Sequence, residues 1–305
     1  MPDMAIIVPS VLNGLTTGAL YALVALGLTL IYGVLHIINF AHGALLMLGL
    51  YAVYYLNVQF GIDPYVALLI VPPGMFALGY ALQRGIIGRA SHGRDENILL
   101  ITLGLSIVID NVALLFFGGD TQTIDVPYAG SFVEVGAAFL PLPKIISFGA
   151  SLVICAALGL YMAKSDMGKA IRAVARERQG ARLVGIDVEN VFAVSYGIGI
   201  ACLGAAACLL MPTYYVTPTS GHAFVLVAFT IVVLGGMGTL FGPLYGTIAF
   251  FVLEEALPPI LNLAHKGWGE YWMIVFGPLL VLIALYARGG IDSLLGRRHE
   301  QAGHD

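Results

Sequence analysis

The sequence predicts an all-α polytopic membrane protein: a transmembrane helical bundle of about 8–10 spans, N-terminus outside and C-terminus cytoplasmic. Three observations carry this reading. The 305 residues are 59% hydrophobic and only 10% charged, with a mean hydropathy of +0.91. A soluble domain carries roughly a quarter charged residues, so there is too little polar surface here to solvate a globule. The apolar runs are also long. Residues 98–118 contain one charge, Asp110, and as a helix would cross about 30 Å of hydrocarbon. The alternating segments of about 10 residues that a membrane β-barrel requires are lacking. Finally, the basic residues are distributed very unevenly.

Taken in order, the apolar runs predict helices near 7–32, 42–58, 64–84, 97–118, 144–163, 190–212, 222–236, 243–259 and 271–288. The first has no basic n-region, since the first basic residue is Arg84, and reads as a true span instead of a cleaved signal. It carries Asn13, Thr16 and Thr17 and ends at a Gly-rich break, Gly33–Gly43. The runs 42–58 and 222–236 are short, which makes them candidates for re-entrant or fused segments. The fourth holds Asp110 and Asn111, and the fifth runs into a basic loop. Pro218 and Pro243 fit breaks around the seventh, and Glu254 and Glu255 near the end of the eighth are placed to reach the outer interface. Cys155, Cys202 and Cys208 lie in apolar runs without a CxxC spacing, so they read as packing residues with no metal or disulfide role. The spacings Gly14/Gly18 and Gly238/Gly242/Gly246 allow close helix contacts, chiefly within the chain. The whole chain, 1–305, is expected to form a single transmembrane domain.

Of fourteen Lys and Arg, three fall at 84–94, six at 164–182 and three at 288–298, and nine spans put all three regions on one side. Only Lys144 and Lys266 fall on the other. The positive-inside rule places the three basic regions in the cytoplasm. The acidic segment 118–143 and the N-terminus then face out. A net charge of −4 without a basic, aromatic-rich face excludes a nucleic-acid partner. A faint internal echo links 33–49 with 235–252: each runs helix, Gly-rich break, helix, as in transporter repeats.

The segment 164–187 (KSDMGKAIRAVARERQGARLVGID) is the most informative. Ser165 or Asp166 can cap a helix whose apolar residues Met167, Ala170, Ile171, Val174 and Ala175 form one stripe. A second small-residue turn follows at Gly180-Ala181 and ends at Gly185-Ile186, so two short amphipathic helices are expected between the spans. Two readings stand: a flat membrane anchor, or a knob whose small residues allow close docking to a cytoplasmic partner. Ala163–Ala170 has the spacing of a P-loop but lacks its first Gly and its final Ser/Thr. No nucleotide site is expected, and if ATP drives this chain another subunit binds it. In Gly33–Gly43, Asn39, His36 and His42 flank a break that either faces a cavity or forms a capped turn. Asp110 either lines a polar path or hydrogen-bonds across a helix interface. Asn13, Thr17, Asn39, His42 and Asp110 are the candidates for lining a translocation path.

Residues 13–49 (NGLTTGALYALVALGLTLIYGVLHIINFAHGALLMLG), 168–187 and 235–255 (GGMGTLFGPLYGTIAFFVLEE) resemble, in the family's own order, the LivH-type permease of branched-chain amino acid ABC transporters. The resemblance implies a multi-pass subunit of a bacterial inner membrane. Its partners would be a LivM-like second permease, two cytoplasmic ATPases and a periplasmic substrate-binding protein. No catalytic residue and no cofactor would belong to this chain; ATP and Mg²⁺ would sit on the ATPases. The family's coupling segment would be 168–187, carried by Gly168, Arg172, Ala173, Arg176, Gly180, Ala181 and Gly185. The segment departs from the general permease pattern of an acidic residue followed by Ala-Ala: Arg176-Glu177 and Gln179-Gly180-Ala181 stand in its place. Branched-chain amino acids are the implied substrates, with urea, short amides or other amino acids as alternatives. The rival of another class is an ion-coupled transporter or channel using Asp110.

Overall fold

A computed structural model describes residues 4–90, 95–135, 138–236, 242–264 and 267–286. Lys266, Arg94, Gly238 and the basic residues of 288–298 lie outside the described residues. All nine expected segments are helical: α1 (Met4–Leu35), α2 (His42–Phe60), α3 (Val71–Leu82), α4 (Asp95–Phe117), α5 (Leu142–Lys164), α8 (Val188–Leu210), α9 (Ser220–Gly235), α10 (Gly242–Ala264) and α11 (Trp272–Tyr286). Between α5 and α8 lie two short helices, α6 (Asp166–Arg176) and α7 (Arg178–Leu183). Among the described residues, six helices are long and apolar enough to cross a membrane, namely α1, α2, α4, α5, α8 and α10. The three others are shorter, at 12 residues for α3, 16 for α9 and 15 for α11.

Three details depart from expectation. α2 is a full 19-residue helix, not a re-entrant stub. It ends in an αL close: Gly61, at φ 64, donates to Asn57 O while Ile62 N–H reaches Leu56 O. The expected helix 64–84 is broken. A 3₁₀ turn at Val66–Leu69 precedes α3, whose first turn holds Pro72 and Pro73; these lack the N–H groups that would extend an earlier helix through them. A π turn, Gln83–Ile87, follows α3. The polar segment before α5 contains a two-stranded antiparallel hairpin, β1 (Phe132–Val135) with β2 (Ala138–Pro141), Phe132 opposite Pro141.

The core is built around α1 and α8. Their spanning windows are 78% and 83% buried, against 17% for α4 and α5. A helix that is apolar on every side is stable in the middle of a bundle, whereas α4 and α5 turn apolar faces to lipid or to another subunit. Small residues let the backbones meet. Gly14 and Gly18 lie against Phe251 and Thr247 of α10, so the first GxxxG spacing serves intrachain packing. At the crossing of α2 and α9, a Cβ on Gly43 would collide with the Gly221 carbonyl, and one on Gly221 with that of Gly43.

Gly43→Val is therefore expected to destabilise the fold by about 1–3 kcal/mol. Gly74→Ala, with nothing within 4 Å of its Cβ position, is expected to be neutral or mildly stabilising. Melting temperatures of the two variants in mild detergent check both.

Candidate functional site

One end of the bundle carries the basic residues. Ser165 caps α6, its Oγ accepting from Gly168 N at 2.9 Å. The stripe on α6 faces inward: Ile171 and Val174 are buried with Met162, Leu30, Val34, Val188 and Val191. This face thus packs on the ends of α1, α5 and α8. The P-loop-like stretch 163–170 forms the corner between α5 and α6, and the Gly168 N–H is already bonded to Ser165.

Two arginines tie this segment to the spans. Arg172 donates to Met162 O and, at 3.4 Å, to Ala163 O, both in the last turn of α5. Arg178 donates to Leu35 O at 2.5 Å and Val34 O at 3.4 Å, and lies 3.3 Å from His36 Nδ1. Its guanidinium also stands 5.2 Å from the Phe192 ring centroid. The last carbonyls of a helix have no intrahelical partner and carry the negative end of its dipole. A planar guanidinium fork suits them. α1 ends here because His36 takes a left-handed backbone, φ 58.

Of the seven expected coupling residues, Gly168 and Ala181 are buried, and Arg172 is turned onto α5. Ala173 and Gly180 are half-buried, while Arg176 and Gly185 are exposed. The protruding tip is Leu183 and Val184, 88% and 77% exposed, next to Gly185 at φ 86. An apolar pair off the stripe of a basic loop was the available signal for that tip. Arg178 had none, because its partner is 143 residues away. A cleft of about 1090 Å³ at this end is lined by Arg84, Arg89, Arg176, Arg178 and Arg182, with Glu177, Asp187 and Glu189 among them.

The five path candidates fall in three places. Asn39 and His42 are buried in the break between α1 and α2. Asn39 Nδ2 donates to Tyr196 Oη at 2.9 Å, and its Oδ1 accepts from Ala41 N at 3.1 Å. His42 Nε2 meets the Val24 carbonyl at 3.0 Å, which requires the proton on that nitrogen. Asp110 is apart from these, on α4, 3.0 Å from His222 Nε2 of α9. Asn13 and Thr17 sit at the opposite end of the bundle. There Asn13 Nδ2 donates to Glu255 Oε1 at 2.6 Å, and Lys144 Nζ donates to Asn13 Oδ1 at 2.7 Å and approaches Thr17 Oγ1 at 3.4 Å. Loops close over this end: Tyr128 donates to Asp63 at 2.7 Å, and burial together with that bond pushes the Tyr128 phenol pKa up. Among the described residues no three His, Cys, Asp or Glu side chains converge as metal ligands.

The family described as "Branched-chain amino acid transport system / permease component" matches residues 10–284. The high-affinity branched-chain amino acid transport system permease protein BraD of Pseudomonas aeruginosa is 31% identical, covering 97% of this chain and 98% of its own length. The corresponding permease protein LivH of Escherichia coli is 29% identical over 93% of this chain and 94% of its own. LivM of the same organism is 23% identical over 90% of this chain and 68% of its own. No solved structure matches the chain.

The Asn39–Tyr196 bond makes a double-mutant test. Asn39→Leu and Tyr196→Phe should each cost about 1–3 kcal/mol, since each leaves a buried polar partner unsatisfied. The double variant should cost less than the sum by about 0.5–3 kcal/mol, read from denaturant unfolding in mild detergent.

Proposed function

The chain belongs to the permease family of branched-chain amino acid transport systems, and from that premise we propose how it works: cytoplasmic ATPases drive it through α6 and α7. It is a multi-pass membrane subunit of an ABC transport system and performs no covalent chemistry. In this reading the whole chain is one permease domain in a bacterial inner membrane, with the basic end in the cytoplasm and the N-terminus outside. A LivM-like chain pairs with it, a periplasmic binding protein delivers the substrate, and two ATPases hold ATP and Mg²⁺. The proposed substrate is a branched-chain amino acid.

One observation carries the mechanism: Arg172 and Arg178 hold the coupling segment to the carbonyl ends of α5 and α1. The tip Leu183-Val184, with Arg176, Gly180 and Gly185 around it, docks on an ATPase. When ATP closes the ATPase pair, α6 and α7 move as one body, because their apolar stripe is buried against the bundle. The arginines pass that movement to α5 and α1, and so to the break at His36–Ala41. Asn13, Thr17, Asn39, His42 and Asp110 remain the candidates for the path itself. Selectivity rests chiefly with the binding protein, since tight binding in the permease would slow release.

Two outcomes test this. Arg176→Glu combined with Gly180→Trp should leave the chain inserted but cut ATP-driven uptake in proteoliposomes by about tenfold or more. Normal uptake there sinks the docking assignment, and uptake that persists with disabled ATPases sinks ATP coupling altogether. Arg178→Lys keeps the charge but loses the fork. It should lower substrate moved per ATP by about fivefold while hydrolysis continues, measured as uptake and phosphate release on the same vesicles.

A further inference from the structure

At the end of the bundle opposite the arginines, α1, α5 and α10 bring together a cation, two carboxylates and an amide. Lys144 and Glu255 do not touch. Among the described residues the ion pairs within 4.0 Å are Lys169–Asp166 and His222–Asp110. Instead the Asn13 amide stands between them, its oxygen accepting from Lys144 and its nitrogen donating to Glu255.

The helices gain little from this arrangement. Lys144 lies in the first turn of α5, where a cation opposes the helix dipole. Glu254 and Glu255 are adjacent like charges inside α10. All four side chains are only half-buried, so the group is reachable. The group offers one cation and two carboxylates, partners for both charges of a zwitterion.

The apolar complement lies deeper: Phe251 is four residues from Glu255, about 6 Å along the axis, and Tyr21 is eight from Asn13, about 12 Å. Asn13, Thr17 and Tyr21 share one face of α1, and Glu255 and Phe251 share one face of α10. Tyr21 packs on Phe251 at 4.7 Å and on Phe224 at 5.3 Å between ring centroids.

We propose that this seam is a docking site for a zwitterionic α-amino acid with an apolar side chain. Its carboxylate meets Lys144, its ammonium replaces the Asn13 amide at Glu255 with Glu254 adjacent, and its side chain lies against Tyr21 and Phe251. An α-amino acid carries both charges on one carbon, so it satisfies in one molecule the two groups that Asn13 now holds apart. The proposal rests on the reading of the chain as an amino-acid permease and adds the residues that receive the substrate at the outer end.

The test uses the assembled permease complex in nanodiscs without binding protein, exposed to a diazirine analogue of leucine and mapped by mass spectrometry. Labelling is expected on peptides holding Asn13–Tyr21, Lys144 or Phe251–Glu255. Leucine should compete, whereas 4-methylpentanoate (no ammonium) and 3-methylbutylamine (no carboxylate) should not. Lys144→Gln and Glu255→Gln should each reduce labelling about tenfold, with Lys144→Arg and Glu255→Asp retaining it. If the neutral variants fail to insert, the competition on the wild-type complex decides alone. Labels confined to other helices, no labelling, or equal competition by the half-charged analogues overturns the site. ATP-driven leucine uptake by the same wild-type complex, moved into proteoliposomes with its binding protein, separates the two levels. Uptake with labels elsewhere overturns only this site, and absence of uptake overturns the permease reading beneath it.

Discussion

In hydrocarbon a backbone carbonyl or N–H without a partner costs several kcal/mol, and no water is present to supply one. Several places where this chain stops being a helix supply such partners from its own groups. α1 ends at Leu35, and Arg178 takes its last carbonyls. α5 ends at Lys164, and Arg172 does the same for its final turn. The break after α1 is held by Asn39, which accepts from Ala41 N and donates to Tyr196. α2 is closed by the Gly61 turn, and α6 opens on the Ser165 hydroxyl.

In the proposed coupling, the groups that satisfy these ends would also let a partner drive the bundle. A short helix joined to a span by a methylene–methylene contact alone can slide. One joined by a charged fork to the negative end of a helix dipole has to carry that end with it. α6 and α7 have both, an apolar face packed on three helix ends and two arginines gripping two of them. In that proposal, force applied at the exposed Leu183-Val184 tip reaches α1, one of the two helices around which the core is built. At the other end Asn13 stands between Lys144 and Glu255 and bonds to both.

Much of this was legible from local pattern. All nine apolar runs are helices, the cap at Ser165 and the stripe on α6 are as their spacing implies, and α6 and α7 are both short. The errors are local too. α2 runs to Phe60 because the αL turn at Gly61, not the decline in hydropathy, ends it. The run 64–84 is divided because two prolines weigh more than its apolar content. Arg172 lies off the apolar stripe, as its spacing implies, but that its guanidinium bonds the last turn of α5 was not legible from the stripe.

The sequence by itself determined that this chain lives in lipid, which stretches are helical, and that its basic residues concentrate in one small loop. Those properties depend on composition and on spacings of three or four residues, which the chain cannot escape whatever packs around it. Only the tertiary structure decided which polar groups meet. Arg178 finds Leu35 across 143 residues, Lys144 finds Asn13 across 131, and Asn13 finds Glu255 across 242. Such pairings follow from which helices lie side by side, and in this chain that is decided by close backbone approaches such as Gly43 on Gly221. No spacing along the sequence encodes them.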